Sequence, residues 1–413
     1  MYDKIMCLDE IQTSDRERTR AMKSFTRAYL WTFLAVLLLA GSFAGGYLTH
    51  MYLAFSGNRV ENFPLLLQAY SILKHHAYQD MPEEPQLQYG MIRGMLQAYG
   101  DPFTSFLEPV QSTLETHNLQ GHFGGIGVRL GVDEEGYVVL YPFPEGPAIE
   151  AGVMEGDRLL GVEGTSFIPP INMEQVQAAV RGPVGRPVTL QLARPPEYAP
   201  IEITMLRREI ALPSVTWHLL PEDPSVGLVE INLIAASTPE EVEKAIRDLS
   251  GRGAERFVLD MRDNGGGLLS AGIDTARLFL SEGELMHQQY RGQEVEVYRV
   301  EKPGPLVEIP LAVLINQNTA SAAEIIAGAL QAGQRAILVG YPSYGKDSIQ
   351  LIFPLQDGSS LHVTAARWWI PGLETAEAFK LQPDVLLSPD TPHTEDYLQA
   401  ALQALSEQAA IED

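Results

Sequence analysis

Residues 311–331 read LAVLINQNTASAAEIIAGALQ. An apolar run comes first, a short polar junction follows, and from Ser321 onward the pattern is helical. A buried strand followed by a helix is the repeating unit of an α/β domain. The other apolar runs of this kind are Val226–Leu233, Phe257–Met261 and Ala336–Val339. They alternate with the helical stretches Pro239–Leu249, Leu268–Leu280 and Ser321–Leu330. We therefore expect an α/β core that begins at Val226.

Different patterns flank this core. From Val60 to Phe106 the pattern is helical, and Asp101-Pro102 ends it. From about Gly121 to Arg207, short β-like runs separated by Gly and Pro predict a compact, mostly-β module, with one helical stretch at Met173–Arg181. A β-rich piece, Ile349–Ile370, and a terminal helix, Thr394–Glu412, complete the chain.

The overall composition is that of a packed globular protein. With 45% hydrophobic and 20% charged residues among 413, the chain is too apolar for wholesale disorder and long enough for two or three domains. A formal net charge of −24 argues against nucleic acid as a partner, because binding phosphates requires clustered Lys and Arg. The single cysteine, Cys7, excludes an internal disulfide framework and a cysteine-based zinc cluster.

Residues Ala28 to Thr49 carry no charge and are dominated by Leu, Ala, Phe and Gly. As a helix this stretch would measure about 33 Å, which is enough to cross the hydrocarbon core of a bilayer. A cleaved signal peptide is one alternative, but Leu53–Gly57 makes a poor cleavage site and the segment before the apolar core is long. A buried core helix is another, but the stretch lacks a polar face. We favour an uncleaved membrane anchor.

The charges on either side of this stretch predict its orientation. Basic residues precede it, at Arg16, Arg18, Arg20, Lys23 and Arg27. From Arg59 onward the chain carries 23 basic and 48 acidic residues. The positive-inside rule therefore predicts a cytoplasmic N-terminus, with everything after about Phe55 in the periplasm, outside the cell or in a lumen.

A glycine-rich turn, Asp260 to Gly267, follows one apolar run and precedes a helix. Consecutive glycines can present bare N–H groups to a ligand, and the helix N-terminus favours negative charge there. The chain has no P-loop motif, and Gly125-Ile126-Gly127 lacks the rest of a dinucleotide fingerprint. Taken alone, the turn is as consistent with a plain structural turn as with a binding site.

Ser321 and Lys346 each have an ordinary interpretation and a catalytic one. Ser321-x-x-Glu324 is a capping box, which needs no catalysis to explain it. A nucleophile benefits from the same place, since the N–H of Ala322 can face an oxyanion. Most lysines are solvated surface charges, and Lys346 could deprotonate a serine only if burial lowers its pKa from about 10.4.

Together these stretches resemble the carboxy-terminal processing peptidases, the tail-specific serine proteases that carry a PDZ module. That family's blocks D-L-R-x-N-x-G-G, S-A-S-A-x-E-I-x-A-G-A-L-Q and G-K-G-x-x-Q are matched in order at residues 260–267, 319–331 and 345–350. The resemblance implies that Ser321 is the nucleophile, that Lys346 is the general base and that Gln350 orients the lysine amine. It also implies that Gly266 and Ala322 supply the oxyanion-hole N–H groups.

The resemblance extends over nearly all of residues 85 to 390, and Gly124 to Val128 resemble the carboxylate-binding loop of the PDZ module. It implies that Gly125, Ile126, Gly127 and Val128 contact the substrate C-terminus. The predicted fold class is an α/β protease core of crotonase-like ββα units with an inserted mostly-β PDZ domain, a helical N-terminal region and one N-terminal transmembrane helix. The predicted boundaries are a cytoplasmic segment (1–27), a transmembrane signal-anchor (28–55), a helical region (56–113), the PDZ domain (114–207), the α/β serine protease domain (208–392) and a C-terminal helical tail (393–413).

The chain departs from the family pattern at three positions. Asp347 replaces the usual Gly after the lysine, so a carboxylate would favour protonated Lys346 unless its side chain points away. Ala332 and Gly265 replace a commoner Asp and Pro. None of these changes removes a proposed catalytic atom.

The predicted function is that of a membrane-anchored serine endopeptidase that binds apolar C-terminal tails of protein substrates and cleaves through an acyl-enzyme, without metal or organic cofactor. No H-E-x-x-H or G-x-S-x-G motif supports a metalloprotease or a Ser-His-Asp hydrolase. The alternative is an inactive, membrane-anchored PDZ adaptor that binds protein C-termini. It is disfavoured because a decayed enzyme should have lost Ser321, Lys346 or Gln350. The sequence names neither the substrate nor the oligomeric state, and it is compatible with a homo-oligomer.

Overall fold

The computed structural model describes residues 63–372, 380–388 and 393–412. The chain divides into two compact units, Met1–Glu84 and Pro85–Asp413. The first unit contains helix α1 (Pro64–His76), which has Pro at its first position, where the fixed φ of proline suits a helix start. The predicted membrane anchor, Ala28 to Thr49, lies outside the described residues. Among the helices that are described, none combines the length and the apolar character that a bilayer crossing requires.

The second unit contains the remaining elements. Its helices are α2 (Glu84–Tyr99), α3 (Pro109–Gln120), α4 (Pro147–Glu150), α5 (Met173–Val180), α6 (Thr238–Gly251), α7 (Leu269–Arg277), α8 (Ala322–Ala332) and α9 (Thr394–Glu412). Its strands are β1 (Ser105–Leu107), β2 (His122–Gly125), β3 (Val128–Val132), β4 (Val138–Pro142), β5 (Asp157–Val162), β6 (Thr165–Ser166), β7 (Pro187–Arg194), β8 (Ala199–Leu206), β9 (Arg208–Ala211), β10 (Val215–Leu219), β11 (Val226–Ile231), β12 (Arg256–Asp260), β13 (Glu284–Tyr290), β14 (Glu296–Arg299), β15 (Leu311–Ile315), β16 (Ile337–Gly340), β17 (Ser348–Pro354), β18 (Ser360–Trp369) and β19 (Val385–Leu386).

The predicted α/β core is a six-stranded sheet in the order β10-β11-β12-β15-β16-β19. The strands from β11 to β19 are parallel, and β10 pairs antiparallel with β11. Both faces are covered, which explains the consecutive apolar residues within these strands, such as Phe257–Leu259 of β12. Phe257 and Leu259 of β12 pack with helices α6, α7 and α8, whereas Val258 packs with the terminal helix α9.

The predicted mostly-β module is a sheet in the order β3-β4-β5-β7-β8, with β6 paired to β5. Its separate core is built largely of Val and Leu side chains from these strands and from helix α5. A two-stranded ribbon of β2 and β9 joins the two ends of the module, since His122 pairs with Ala211. The predicted boundary between the helical region and the PDZ domain, at residue 114, lies within helix α3, so helical structure continues up to Gln120.

A five-stranded antiparallel sheet, β1-β18-β13-β14 with β17 paired to β18, accounts for the predicted β-rich piece at Ile349–Ile370. Helix α2 ends at Tyr99, just before Asp101-Pro102, whereas the helical pattern expected up to Phe106 is wrong for Ser105 and Phe106, which lie in a strand. The Asp101 carboxylate accepts hydrogen bonds from the N–H groups of Phe103 and Thr104, and these bonds hold the chain in a turn. Ser105 then pairs with His362, a contact too distant in the sequence to leave a local pattern.

Candidate active site

Three loops meet at one edge of the six-stranded sheet. Strands β12, β15 and β16 are parallel neighbours, and each is followed by one of the three stretches that the sequence singled out. Because parallel strands end at the same edge, residues 260–267, 316–321 and 341–347 are brought together there. Two side chains tie the first two loops: Asn316 and Asn318 both donate to the Asp263 carboxylate, at 3.0 and 2.7 Å.

Ser321 immediately precedes helix α8 and has an unusual backbone, with φ 57° and ψ −122°. An ordinary N-cap residue has an extended backbone, so this conformation is strained for a residue with a side chain. The Ser321 N–H donates to the Glu324 carboxylate at 2.8 Å, which is the backbone half of the predicted capping box. Ala322 follows at the first position of α8, where helical N–H groups have no partner within the helix.

Gly266 lies directly against Ser321. A Cβ atom built at Gly266 would lie 2.8 Å from both the Ala320 oxygen and the Ser321 Cβ, and the backbone φ is +98°. Only glycine fits this position without displacing the serine. The Gly266 N–H, which the resemblance assigns to the oxyanion hole, donates to the Asn264 side chain at 2.8 Å in this structure.

Lys346 is half-buried, and its ammonium donates to the Gln350 side-chain oxygen at 2.8 Å. The Gln350 amide in turn donates to the Phe103 carbonyl, so the glutamine is held at both ends. Burial lowers the pKa of Lys346 below its ordinary value, because the charged form loses its hydration. The pKa shift has the direction that a general base requires, and the Gln350 oxygen accepts the hydrogen bond of the lysine amine.

Several groups oppose this shift by favouring the charged lysine. The carboxylates that raise the Lys346 pKa are those of Glu324, Asp101 and Glu115. The ring of Phe103 lies 5.4 Å from the ammonium, within reach of a cation–π interaction. Asp347 is not among these groups. Its carboxylate pairs with Arg367 at 3.6 Å, so the departure from the family pattern is directed away from the base.

Ser321, Ala322, Lys346 and Gln350 line one cavity of about 480 Å³. Apolar side chains contribute much of its wall, namely Leu268, Leu269, Ile325, Ile349 and Trp368. Gly266 lines a neighbouring cavity beside helices α3 and α5, and Gly265 and Gly267 line both.

A Cβ at Gly265 would meet open space, whereas one at Gly266 would not. Ala332, which also departs from the family pattern, is the last residue of α8. Among the residues that the structure describes, no group of His, Cys, Asp and Glu is placed to hold a metal ion.

Sequence reasoning missed three residues that shape the site. Asn264 binds the Gly266 N–H, Phe103 contacts both Lys346 and Gln350, and Glu324 contacts the loop that carries the lysine. Asn264 stands within the glycine-rich block, and Glu324 within the serine block, so both were visible as motif letters. Nothing in the local pattern around Phe103 indicates a contact with residues far along the chain.

The predicted tail-binding loop lies between strands β2 and β3. Gly125 ends β2, Val128 begins β3, and Ile126 between them is buried in the core of the module. Gly127 has a φ of +70°, and its carbonyl accepts the N–H of Phe143. Strand β3 is an edge strand of its sheet, so one side of it has no neighbouring strand within the sheet.

Comparison with known proteins identifies both modules. The model of peptidase family S41 matches residues 225–387, and a PDZ domain model matches residues 138–194. The PDZ match begins after residues 125–128. A solved structure of a photosystem II D1 C-terminal processing protease has a TM-score of 0.44 and 29% identity, and the match covers 80% of this chain and 90% of that one.

Among curated relatives, a carboxyl-terminal-processing protease of Picosynechococcus sp. is 35% identical over 334 residues, which are 78% of this chain and 80% of the relative. The carboxy-terminal processing protease CtpA of Bacillus subtilis is 30% identical over 324 residues, which are 78% of this chain and 68% of the relative. On the strength of this likeness and of the two module matches, the chain belongs to the carboxyl-terminal-processing proteases of peptidase family S41 and carries a PDZ domain.

Proposed function

We propose that this protein is a membrane-anchored serine endopeptidase in which Ser321 and Lys346 form the catalytic dyad. The observation that carries this proposal is the position of Lys346, half-buried and held by Gln350 in the same cavity as Ser321. Burial lowers the lysine pKa, which increases the fraction of neutral amine available to accept a proton. A solvated surface lysine has no such environment.

The reaction follows from these groups. The Ser321 oxygen attacks the carbonyl carbon of the scissile peptide while the Lys346 amine takes the hydroxyl proton. The tetrahedral oxyanion accepts from the Ala322 N–H and from the Gly266 N–H once the latter leaves Asn264, and each donor contributes roughly 10²–10³ in rate. The C–N bond breaks as protonated Lys346 gives its proton to the leaving amine. Water, deprotonated by the same lysine, then hydrolyses the acyl-enzyme.

Substrate recognition is proposed to lie in the PDZ domain. Strand β3 is an edge strand, and an extended tail can add to such an edge through main-chain hydrogen bonds. The N–H groups of residues 125–128 would take the terminal carboxylate, with an apolar side chain in the adjoining groove. The protein partners are therefore substrates with exposed, apolar C-terminal tails.

Anchoring and location are part of the proposal and depend on the sequence. The uncharged stretch Ala28–Thr49 would cross the membrane once, with the basic segment before it in the cytoplasm. The protease and PDZ domains would then lie on the outer side. The boundaries of the anchor (28–55), the helical region (56–113) and the two domains (114–207, 208–392) stay predictions.

The test uses the full-length chain reconstituted in lipid vesicles, beside its Ser321→Ala and Lys346→Ala variants. Each is incubated with an unstructured polypeptide that ends in apolar residues, with EDTA present, and the products are identified by mass spectrometry. We expect cleavage by the parent alone, and loss of cleavage when the tail ends in charged residues. If all three proteins leave the polypeptide intact but bind its tail equally, the adaptor is the better description and the proposal is wrong.

A further inference from the structure

We infer that Glu324 is a positioning residue, a buried carboxylate that fixes the backbone of the nucleophile and the backbone of the base relative to each other. This inference rests on the proposed Ser321–Lys346 dyad. Glu324 lies one helical turn after Ser321 on α8 and is fully buried. Burying a charge is costly unless the charge is well paired. The hydrogen-bond partners of the Glu324 carboxylate therefore indicate its structural role.

Glu324 accepts four hydrogen bonds, two on each oxygen. Oε2 accepts from the N–H groups of Ser321 and Lys346, at 2.8 and 3.1 Å. Oε1 accepts from the Ser343 hydroxyl at 2.6 Å and from the Gly345 N–H at 2.7 Å. One oxygen therefore contacts the backbones of both proposed dyad residues.

Capping of helix α8 does not explain this arrangement. In a capping box the carboxylate at the third helical position needs only one hydrogen bond, from the N–H of the N-cap residue, which is Ser321 here. The other three donors belong to Ser343, Gly345 and Lys346, which follow Glu324 by 19, 21 and 22 positions. They form the loop that leads from β16 to the base, so the carboxylate joins two loops that are separate in the sequence.

The four partners also favour an ionised side chain. Three are backbone N–H groups, which cannot accept, and the Ser343 hydroxyl accepts the N–H of Leu381 at 2.8 Å while it donates to Glu324. An amide in place of the carboxylate would direct an NH₂ group at two donors. Burial raises the pKa of Glu324, and the hydrogen bonds oppose that shift.

The charge of Glu324 also acts on the base. It raises the Lys346 pKa against the effect of burial, together with Asp101 before β1 and Glu115 on α3. The adjacent carboxylate of Asp347 pairs with Arg367 instead. Removing the Glu324 charge should therefore lower the lysine pKa further. Since the base must be neutral, the acid limb of the pH–rate profile should move to lower pH.

The test compares Glu324→Gln, Glu324→Asp and Ser343→Ala in the full-length protein, with the apolar-tailed polypeptide as substrate. For Glu324→Gln we expect kcat to fall about 10²-fold, as a misplaced reacting group would cause, with KM little changed and the acid limb at lower pH. Glu324→Asp keeps the charge but shortens the side chain, so kcat should fall and the acid limb should stay. Ser343→Ala removes one bond and no charge, so its kcat loss should be the smallest.

Unfolding midpoints of all variants separate positioning from a loss of fold. The inference is overturned if Glu324→Gln and Glu324→Asp keep the parent kcat, or if kcat falls only in proportion to the folded fraction and the acid limb does not move. If the glutamine variant does not fold, parent-like kcat in Glu324→Asp overturns it. Failure of the dyad itself is distinguishable, because Ser321→Ala and Lys346→Ala would then still cleave.

Discussion

The two sides of the candidate active site differ in how far they are arranged for chemistry. On one side, the Lys346 ammonium is held by Gln350 and its pKa is lowered by burial. On the other, Gly266 packs directly against Ser321, but its N–H donates to the Asn264 side chain. The proposed base is thus oriented by side chains that pack around it, whereas the proposed oxyanion donor would have to exchange one hydrogen-bond partner. Preorganisation of a site can therefore be complete for one group and incomplete for the group opposite.

The largest effect is expected on the side of the base. Lys346→Met keeps the length and the apolar stem of the side chain and removes the amine, so we expect a loss of about 10³–10⁴-fold in kcat/KM. Steady-state cleavage of the apolar-tailed polypeptide measures it. Lys302→Met, at an exposed position, is the matched control and should cleave like the parent. A variant that kept a tenth of the parent rate would show that another group takes the proton.

The oxyanion side is tested by Gly266→Ala. The new Cβ would lie 2.8 Å from the Ser321 Cβ in a backbone conformation that favours glycine, so the serine must move. We expect a loss of about 10³-fold in kcat. Gly265→Ala, where the Cβ meets open space, should lose far less. Equal losses in the two variants would mean that loop flexibility, rather than the contact with Ser321, is what matters.

The bond between Lys346 and Gln350 is tested by Gln350→Ala. The glutamine oxygen accepts from the protonated amine, so its loss should lower the lysine pKa and move the acid limb to lower pH. The amine also loses its orientation, and we expect the plateau rate to fall about tenfold. The pH–rate profile of kcat measures both effects. An acid limb that moved to higher pH would contradict the assignment of Lys346 as the base.

The smallest effect is expected at Asp347. Its carboxylate pairs with Arg367 rather than with Lys346, and a 3.6 Å ion pair whose arginine is exposed contributes little. Asp347→Asn should therefore change kcat/KM by no more than about twofold, without a shift of the acid limb. A shift to lower pH would mean that Asp347 does act on the base, as its place in the sequence first suggested.

Much of the architecture could be predicted from the sequence because the relevant patterns are local. Apolar runs predicted β11, β12, β15 and β16, and the terminal helix was predicted with the bounds that α9 has in the structure. Strands β1, β13 and β14 were not predicted. Strands β1 and β13 pair with β18, which lies far along the chain, as Ser105 and His362 illustrate. Strands β1 and β14 lie at the edges of the sheet and have only three and four residues, which leaves little periodicity.

The sequence by itself determined which side chains are available and in which order: a serine before a helix, a lysine after a glycine, and glycines where a backbone must approach closely. Tertiary structure decided what these groups do to one another. Three of the four bonds of Glu324, the two contacts of Phe103 and the partner of Asp347 join residues of separate loops or strands. The physical reason is that a pKa and a hydrogen bond depend on distance and burial, and these are set only when the strands pack side by side.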